Sequence, residues 1–314
     1  MSRPLRLEFP GAVYYVTARG NAGQALFTDL EDGARFLDLL GREIAQQRWL
    51  CHAFCLLEDH YHLLIETPDP GLSRGMARLN MTYSQWFGRR HKRRGHLFEG
   101  RYRTKIVEKE TWLLPLCRHI VLNPVRVEAV MRAELWRWSS YRPLAGGENP
   151  WAWLHKDWVH AQFDGDPEQG WSRYVEQGQD APSPWRDLRS GHYLGNDPFL
   201  AKLAAMIGGK SLDQVPSAAA DPLRPTQARI IRAVADACAL RVSDLSDRKA
   251  HPDAFRAAAY LLRRAANIPL REVAALGDVS QGRISQIQKE IEDAGGLTRA
   301  IPWAASLEET FLRR

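Results

Sequence analysis

Glu58-Asp59-His60-Tyr61-His62-Leu63-Leu64-Ile65-Glu66 decides how the first half of this 314-residue chain folds. Side chains alternate along a strand, so His60 and His62 share one face, about 6.7 Å apart along the chain. Tyr61, Leu63 and Ile65 share the other face and anchor the strand in a core. Two imidazoles on one rigid strand can grip a single metal ion. A lone His-x-His is weak evidence, and two plain strand histidines are the rival reading, so the surrounding sequence must decide.

Working outward, residues 49–57 form a second apolar run, separated from 60–66 by Glu58-Asp59, the pattern of a hairpin. Residues 12–18 are β-rich. Residues 29–47 carry Phe36, Leu39, Leu40 and Ile44 at helical spacing behind an acidic first turn. Residues 72–87 repeat the helical pattern with Leu72, Met76, Leu79 and Tyr83. Residues 102–107 read as a short strand, and 111–121 as an apolar helix closed by Asn123-Pro124. The order βαββαβα predicts an α+β class and a ferredoxin-like arrangement, an antiparallel sheet with helices on one face. We expect this domain over residues 1–147. A helical connector and linker follow over 148–219, with helices near 168–177 and 198–207. The Pro-containing, weakly periodic linker lies within 210–225. An all-helical domain is expected over 220–300 and a tail over 301–314.

Composition is that of a water-soluble chain, with net charge +6 and a pI near 9.2. Cys51, Cys55, Cys117 and Cys238 form no C-x-x-C pair, which argues against a disulfide framework or a zinc ribbon. No apolar run reaches about 18 residues. These features predict a cytoplasmic protein with no membrane partner; a monomer or homodimer is expected. The 11 tryptophans read as packing residues.

Two further stretches carry chemistry. In Arg118-His119-Ile120-Val121-Leu122-Asn123-Pro124, His119 and Asn123 stand at i and i+4, on one face of a helix end. A helix packed on the His60/His62 strand could bring both to the same ion, and imidazole with amide oxygen suits Mg²⁺ or Mn²⁺. The plainer reading is that Asn123 simply ends the helix. Residues 89–105 hold Arg89, Arg90, Lys92, Arg93, Arg94, Arg101, Arg103 and Lys105 against the single Glu99, with Phe98 and Tyr102 interleaved. Basic residues beside aromatics suit a surface that tracks a phosphate backbone and stacks bases.

Together these stretches resemble the HUH single-tyrosine transposases, specifically the REP-associated tyrosine transposase-like proteins. The resemblance rests on LLEDHYHLLIETP, LSRGMARLNMTYSQWFGRRHKRRGHLFEGRYRTKIVEKE, LLPLCRHIVLNPVRVEAV and WRWSSYRPLAG, in that order over residues 5–145. It implies a ferredoxin-like catalytic domain, a single-stranded hairpin DNA substrate, and a divalent metal, Mg²⁺ or Mn²⁺, held by His60 and His62 with Asn123 as third ligand. One departure matters. The family's nucleophilic tyrosine falls at His119. Three readings stay open: His119 as nucleophile through a phosphoramidate; Tyr102, or less favourably Tyr83, as substitute; or hairpin binding without cutting, as in a domesticated regulator. The retained His60, His62 and Asn123 favour a metal-assisted endonuclease and strand transferase.

Residues 270–287 read as helix, tight turn, helix, with Val273, Leu276, Val279, Ile284 and Ile287 packing the pair and Ser280 as N-cap. With the helix before it, the region 226–293 is similar to the DNA-binding domain of DnaA-type replication initiators, although Gln281-Gly282-Arg283 departs from that domain's signature. The resemblance implies duplex DNA as a second partner, met by Gln281, Arg283, Gln286 and Lys289.

Overall fold

Strand β1 (Ala12–Arg19) is the central strand of the sheet, and the hairpin of β2 (Leu50–Leu56) and β3 (His60–Thr67) lies to one side of it. Between β1 and β2 runs α1 (Leu30–Gln47), and after β3 runs α2 (Leu72–Arg90), followed by β4 (Arg103–Val107), α3 (Lys109–Val121) and the single turn α4 (Asn123–Arg126). The computed structural model describes residues 7–189, 191–208 and 224–312. Most of the expected linker, residues 210–223, lies outside the described residues.

The sheet order is β2-β3-β1-β4-β5, where β5 is the two-residue strand Tyr193–Leu194. Strands β1 to β4 pair antiparallel, as the pattern predicted, and β5 adds a parallel edge beside β4. Short helices α5 (Tyr141–Leu144), α6 (Asp157–His160) and α7 (Pro167–Glu176) lie in the chain between α4 and β5, and α8 (Asp197–Gly208) follows. The chain divides into two compact units: residues 1–187 with 192–199, and residues 188–191 with 200–314. Residues 148–187, read from the sequence as a connector, are therefore part of the first unit.

Local chemistry explains these elements. Asp29 caps α1, its carboxylate accepting from the Glu31 and Asp32 amides, which satisfies orphan N–H groups of the first turn. Phe36 of α1 packs 4.8 Å from Tyr61 of β3, and the Tyr61 hydroxyl donates to Asn80 of α2 at 2.8 Å. Each fully buried ring of this kind contributes roughly 1.5–3 kcal/mol. So α1 and α2 cover the Tyr61 face. The opposite face of β3, which carries His62, is covered as well: Cys117 of α3 reaches the His52 carbonyl on β2, and β3 is buried along nearly its whole length. Helices thus lie on both faces of the sheet, not on one. The reason is visible in α3, where Leu113, Leu116, Cys117, Ile120 and Val121 are all buried, an apolar surface too broad for a single stripe.

Trp153 and Trp138 pack against α1, while Trp303 is exposed. A Cβ on Gly41 would come within 2.6 Å of Trp153, and one on Gly33 within 3.0 Å of Trp138, so these glycines admit the indoles against α1. Among the described residues no helix is long and apolar enough to cross a membrane.

The second unit is helical. It comprises α9 (Gln227–Ala237), α10 (Pro252–Arg264), α11 (Leu270–Leu276), α12 (Gln281–Asp293), α13 (Leu297–Ala300) and α14 (Ala305–Phe311). Ser280 caps α12 by accepting from the Arg283 amide at 3.2 Å. Phe255 of α10 packs where a Cβ on Gly277 would stand, which closes the α11–α12 turn. Within the expected tail, the described residues 301–312 pack: Ile301, Ala304, Leu307 and Phe311 join Ile230, Val234, Leu261 and Ile291 in one core.

Candidate metal and nucleic-acid site

The register sets which side chains meet. On the sheet face under α3, His62 pairs with Thr17, Thr17 with Arg103, and Tyr15 with Lys105, while His60 pairs with Arg19 at the strand end. The imidazoles of His60 and His62 are 4.7 Å apart, centroid to centroid, at 88° to each other.

Each of the two rings has one nitrogen engaged and the other free. His60 Nδ1 lies 2.5 Å from Asp59 Oδ1, and Asp59 is itself held by Arg19. Burial pushes the Asp59 carboxyl up, but the hydrogen bonds from His60 and Arg19 outweigh this and hold it below its ordinary value. His62 Nδ1 lies 2.6 Å from the Tyr15 hydroxyl, and its Nε2 is buried with no hydrogen-bond partner. Burial, then the neighbouring His60 and His119, keep His62 neutral by holding it well below its ordinary value. Burial also raises Tyr15, so its phenol stays protonated. An imidazole whose Nδ1–H is held by a carboxylate or hydroxyl presents Nε2 as a ligand, the usual support of a metal-binding histidine. An orphaned buried Nε2 is costly unless something binds it. The donor set therefore fits a divalent ion with two nitrogen ligands. Among the described residues no group of three His, Cys, Asp or Glu side chains gathers around such an ion.

Asn123 shows the helix-ending role of its two sequence readings through its amide nitrogen, and a ligand role would fall to its oxygen. Its amide nitrogen donates to the His119 carbonyl at 3.0 Å and to the Ile120 carbonyl at 3.3 Å, so the side chain closes its own helix.

His119 does reach this region. It is 8% exposed, and burial, with Arg126 and Lys105 adding, pushes it down to about 3. Arg126 donates to His119 Nδ1 at 3.1 Å and to its carbonyl at 2.8 Å. Arginine has donors only, so Nδ1 accepts and the ring proton sits on Nε2. The lone pair that a nucleophile needs is occupied. Tyr102, the substitute nucleophile, is buried and donates to Ser73 of α2 at 3.2 Å, on the α2 side of the sheet. Tyr83 is buried and donates to the Leu26 carbonyl at 2.6 Å. Neither joins the histidines.

Sequence reasoning missed Tyr15, Arg19, Arg118, Arg126 and Trp185. Trp185 comes from the Pro184–Asp187 turn. Its indole lies 4.6 Å from Tyr15 and 5.2 Å from His119, with the Lys105 ammonium 4.8 Å over its ring. The basic segment divides. Arg89, Lys92, Arg94, Arg101 and Arg103 are exposed, and Arg93 is half-buried. Arg101 and Arg103 line a cavity of about 490 Å³ with Arg19, Thr17 and His60. Arg90 is spent inside the fold, bound to Asp29, Glu31 and the buried Asp32 at 2.7–2.9 Å. Phe98 and Tyr102 are buried, Phe98 packing 6.2 Å from Tyr61, so they cannot stack bases. In the second unit Gln281, Gln286 and Lys289 are exposed, while Arg283 pairs with Glu290 at 2.9 Å.

Comparison with known proteins bears on this geometry. Residues 16–114 match the family described as Transposase IS200 like. The match takes in His60, His62 and the basic segment, covers about a third of the chain, and stops before His119. Residues 16–114 are thus similar in sequence to that family. A solved structure of a REP-associated tyrosine transposase bound to a REP hairpin is similar, with a TM-score of 0.41 and 16% identity over 46% of this chain and 86% of that one. Among curated proteins none matches the chain.

Proposed function

We propose that the first unit binds single-stranded hairpin DNA across the cavity beside His60, around a Mg²⁺ or Mn²⁺ ion held by His60 and His62. The observation that carries this reading is the pair of imidazoles with Nδ1 engaged and Nε2 free, beside a rim of Arg19, Arg101 and Arg103. Such an ion would polarise a phosphate oxygen and activate water. The protein's own groups orient the site. Asp59 and Tyr15 fix the two rings, and the rim arginines offset backbone charge. The chemistry supported best is metal-assisted nicking with water as nucleophile. Covalent strand transfer through His119 is not part of the proposal, because Arg126 occupies its lone pair.

A second reading, a regulator that binds hairpins without cutting, draws on a separate observation: Tyr15, which touches the histidine pair, is buried and hydrogen-bonded to His62. Incubating an end-labelled hairpin oligonucleotide with the protein and Mn²⁺ separates the two. Cleavage that disappears in His62→Ala, with no protein–DNA adduct by mass spectrometry, supports the nicking reading. Tight binding with intact DNA supports the regulator. For the second unit we propose duplex DNA binding by α12, whose exposed Gln281, Gln286 and Lys289 could meet base edges and phosphates.

A further inference from the structure

A second cavity, of about 340 Å³, opens beside His119 and is lined by Arg118, Arg126 and Arg186 together with the 181–187 segment. That is room for a group of nucleotide size. Its charge is unbalanced. Among the described residues, none of the three guanidiniums has a carboxylate partner; Arg118 donates to the Tyr174 carbonyl and stacks on that ring at 4.2 Å, and Arg126 donates only to His119. Asp187, exposed, is the one acid in the lining. Burial, then the nearby Arg118, push Arg126 down from its ordinary value. His119 is more than nine-tenths buried, and its Nε2–H has no hydrogen-bond partner among the described residues.

We propose that this cavity is an anion site for a terminal phosphate monoester of DNA, bound by Arg118, Arg126, Arg186 and the Nε2–H of His119. A monoester carries about −1.5 to −2 charges near neutral pH, against −1 for a backbone diester, and three unpaired guanidiniums answer the larger charge. Guanidinium forks match phosphate oxygens in pairs. Neutral His119 adds a donor that needs no proton transfer, and the Arg126 bond fixes that donor's tautomer. His119 is then a binding residue for a cut end, not a nucleophile. The site deepens the DNA-binding reading and rests on it, but does not involve the His60–His62 ion.

The test compares full-length protein binding to one hairpin carrying a 5′-phosphate, a 3′-phosphate or only hydroxyl ends, in EDTA and in Mn²⁺. One phosphorylated end should bind about tenfold tighter than the hydroxyl form, the worth of about one charge-assisted hydrogen bond, and which end does so identifies the strand polarity. The preference should persist in EDTA, shrink in Arg186→Gln, and vanish in Arg126→Gln/Arg186→Gln. Arg186 lies on an exposed turn, so the single variant keeps the test open if the double one misfolds. Equal affinity for all three ends overturns the proposal. So does a preference lost in EDTA, which would put the phosphate on the ion, or one retained in the double variant. Hydroxyl-ended hairpin binding reports separately on the function proposed above.

Discussion

Replacing Tyr15 with Phe tests how the histidine pair is supported. The change keeps the ring that packs on Trp185 and under Lys105, so no cavity forms, and it deletes only the hydroxyl 2.6 Å from His62 Nδ1. Both groups are buried. Leaving the ring nitrogen unpaired should destabilise the first unit by about 1–3 kcal/mol. Loss of a supporting partner of this kind weakens metal binding about 10–100-fold. At a Mn²⁺ concentration 100 times the wild-type Kd, the ion should stabilise wild type by about 2.7 kcal/mol. The variant, at the same concentration, should gain between about 1.4 and about 0.4 kcal/mol by the same relation. Denaturant unfolding with and without Mn²⁺ reads both numbers. If Tyr15→Phe gains as much from Mn²⁺ as wild type does, His62 is not held for a ligand by Tyr15 and the reasoning fails.

Other predictions follow from particular side chains. Glu66 is bound by His52 and by Lys109 at 2.7 Å; burial pushes it up, but these partners outweigh that and hold it down to about 2 from 4.5. A depressed carboxylate stabilises the fold above its unfolded value and loses that stability as pH falls through the folded one. Unfolding free energy should therefore drop by up to about 3 kcal/mol between pH 4.5 and 2, and Glu66→Gln should flatten that slope in acid titrations followed by circular dichroism. Neutralising Arg93, Arg94, Arg101 and Arg103 together should flatten the salt dependence of hairpin binding by up to about 3 in log–log slope, near 0.7 per lost phosphate contact; an unchanged slope would mark the segment as a solvated face. Phe311→Ala should cost the second unit about 3–5 kcal/mol, since that ring lies in its core, whereas a loose tail would tolerate the change in a melting experiment.

Much of the first unit was legible because its signals are local. Strand alternation put His60 and His62 on one face, and the capping Asp29 and the turn at Glu58-Asp59 marked where elements begin and end. What stayed hidden depends on partners distant in the chain. Arg90 reads as a free cation beside Arg89, yet Asp29, Glu31 and Asp32 on α1 neutralise it. Phe98 and Tyr102 look like stacking rings among arginines, but the fold turns both inward. Asn123 carries two meanings at one position, helix end or ligand; its amide nitrogen makes the first through the His119 and Ile120 carbonyls, and the second would rest on its oxygen. Trp185 belongs to a Pro-containing stretch with no periodicity, so nothing local announces that it covers Tyr15 and His119. The breadth of buried surface on α3, which puts a helix on each face of the sheet, likewise shows only once the chain has folded.

The most direct test of the central claim is a Mn²⁺ titration of hairpin DNA binding by wild type and by His60→Ala/His62→Ala. Hairpin affinity should rise with Mn²⁺ in wild type, fall back in EDTA, and stay flat across the titration in the double variant while that variant remains folded. Identical Mn²⁺ responses in the two proteins, or none in either, would contradict the account.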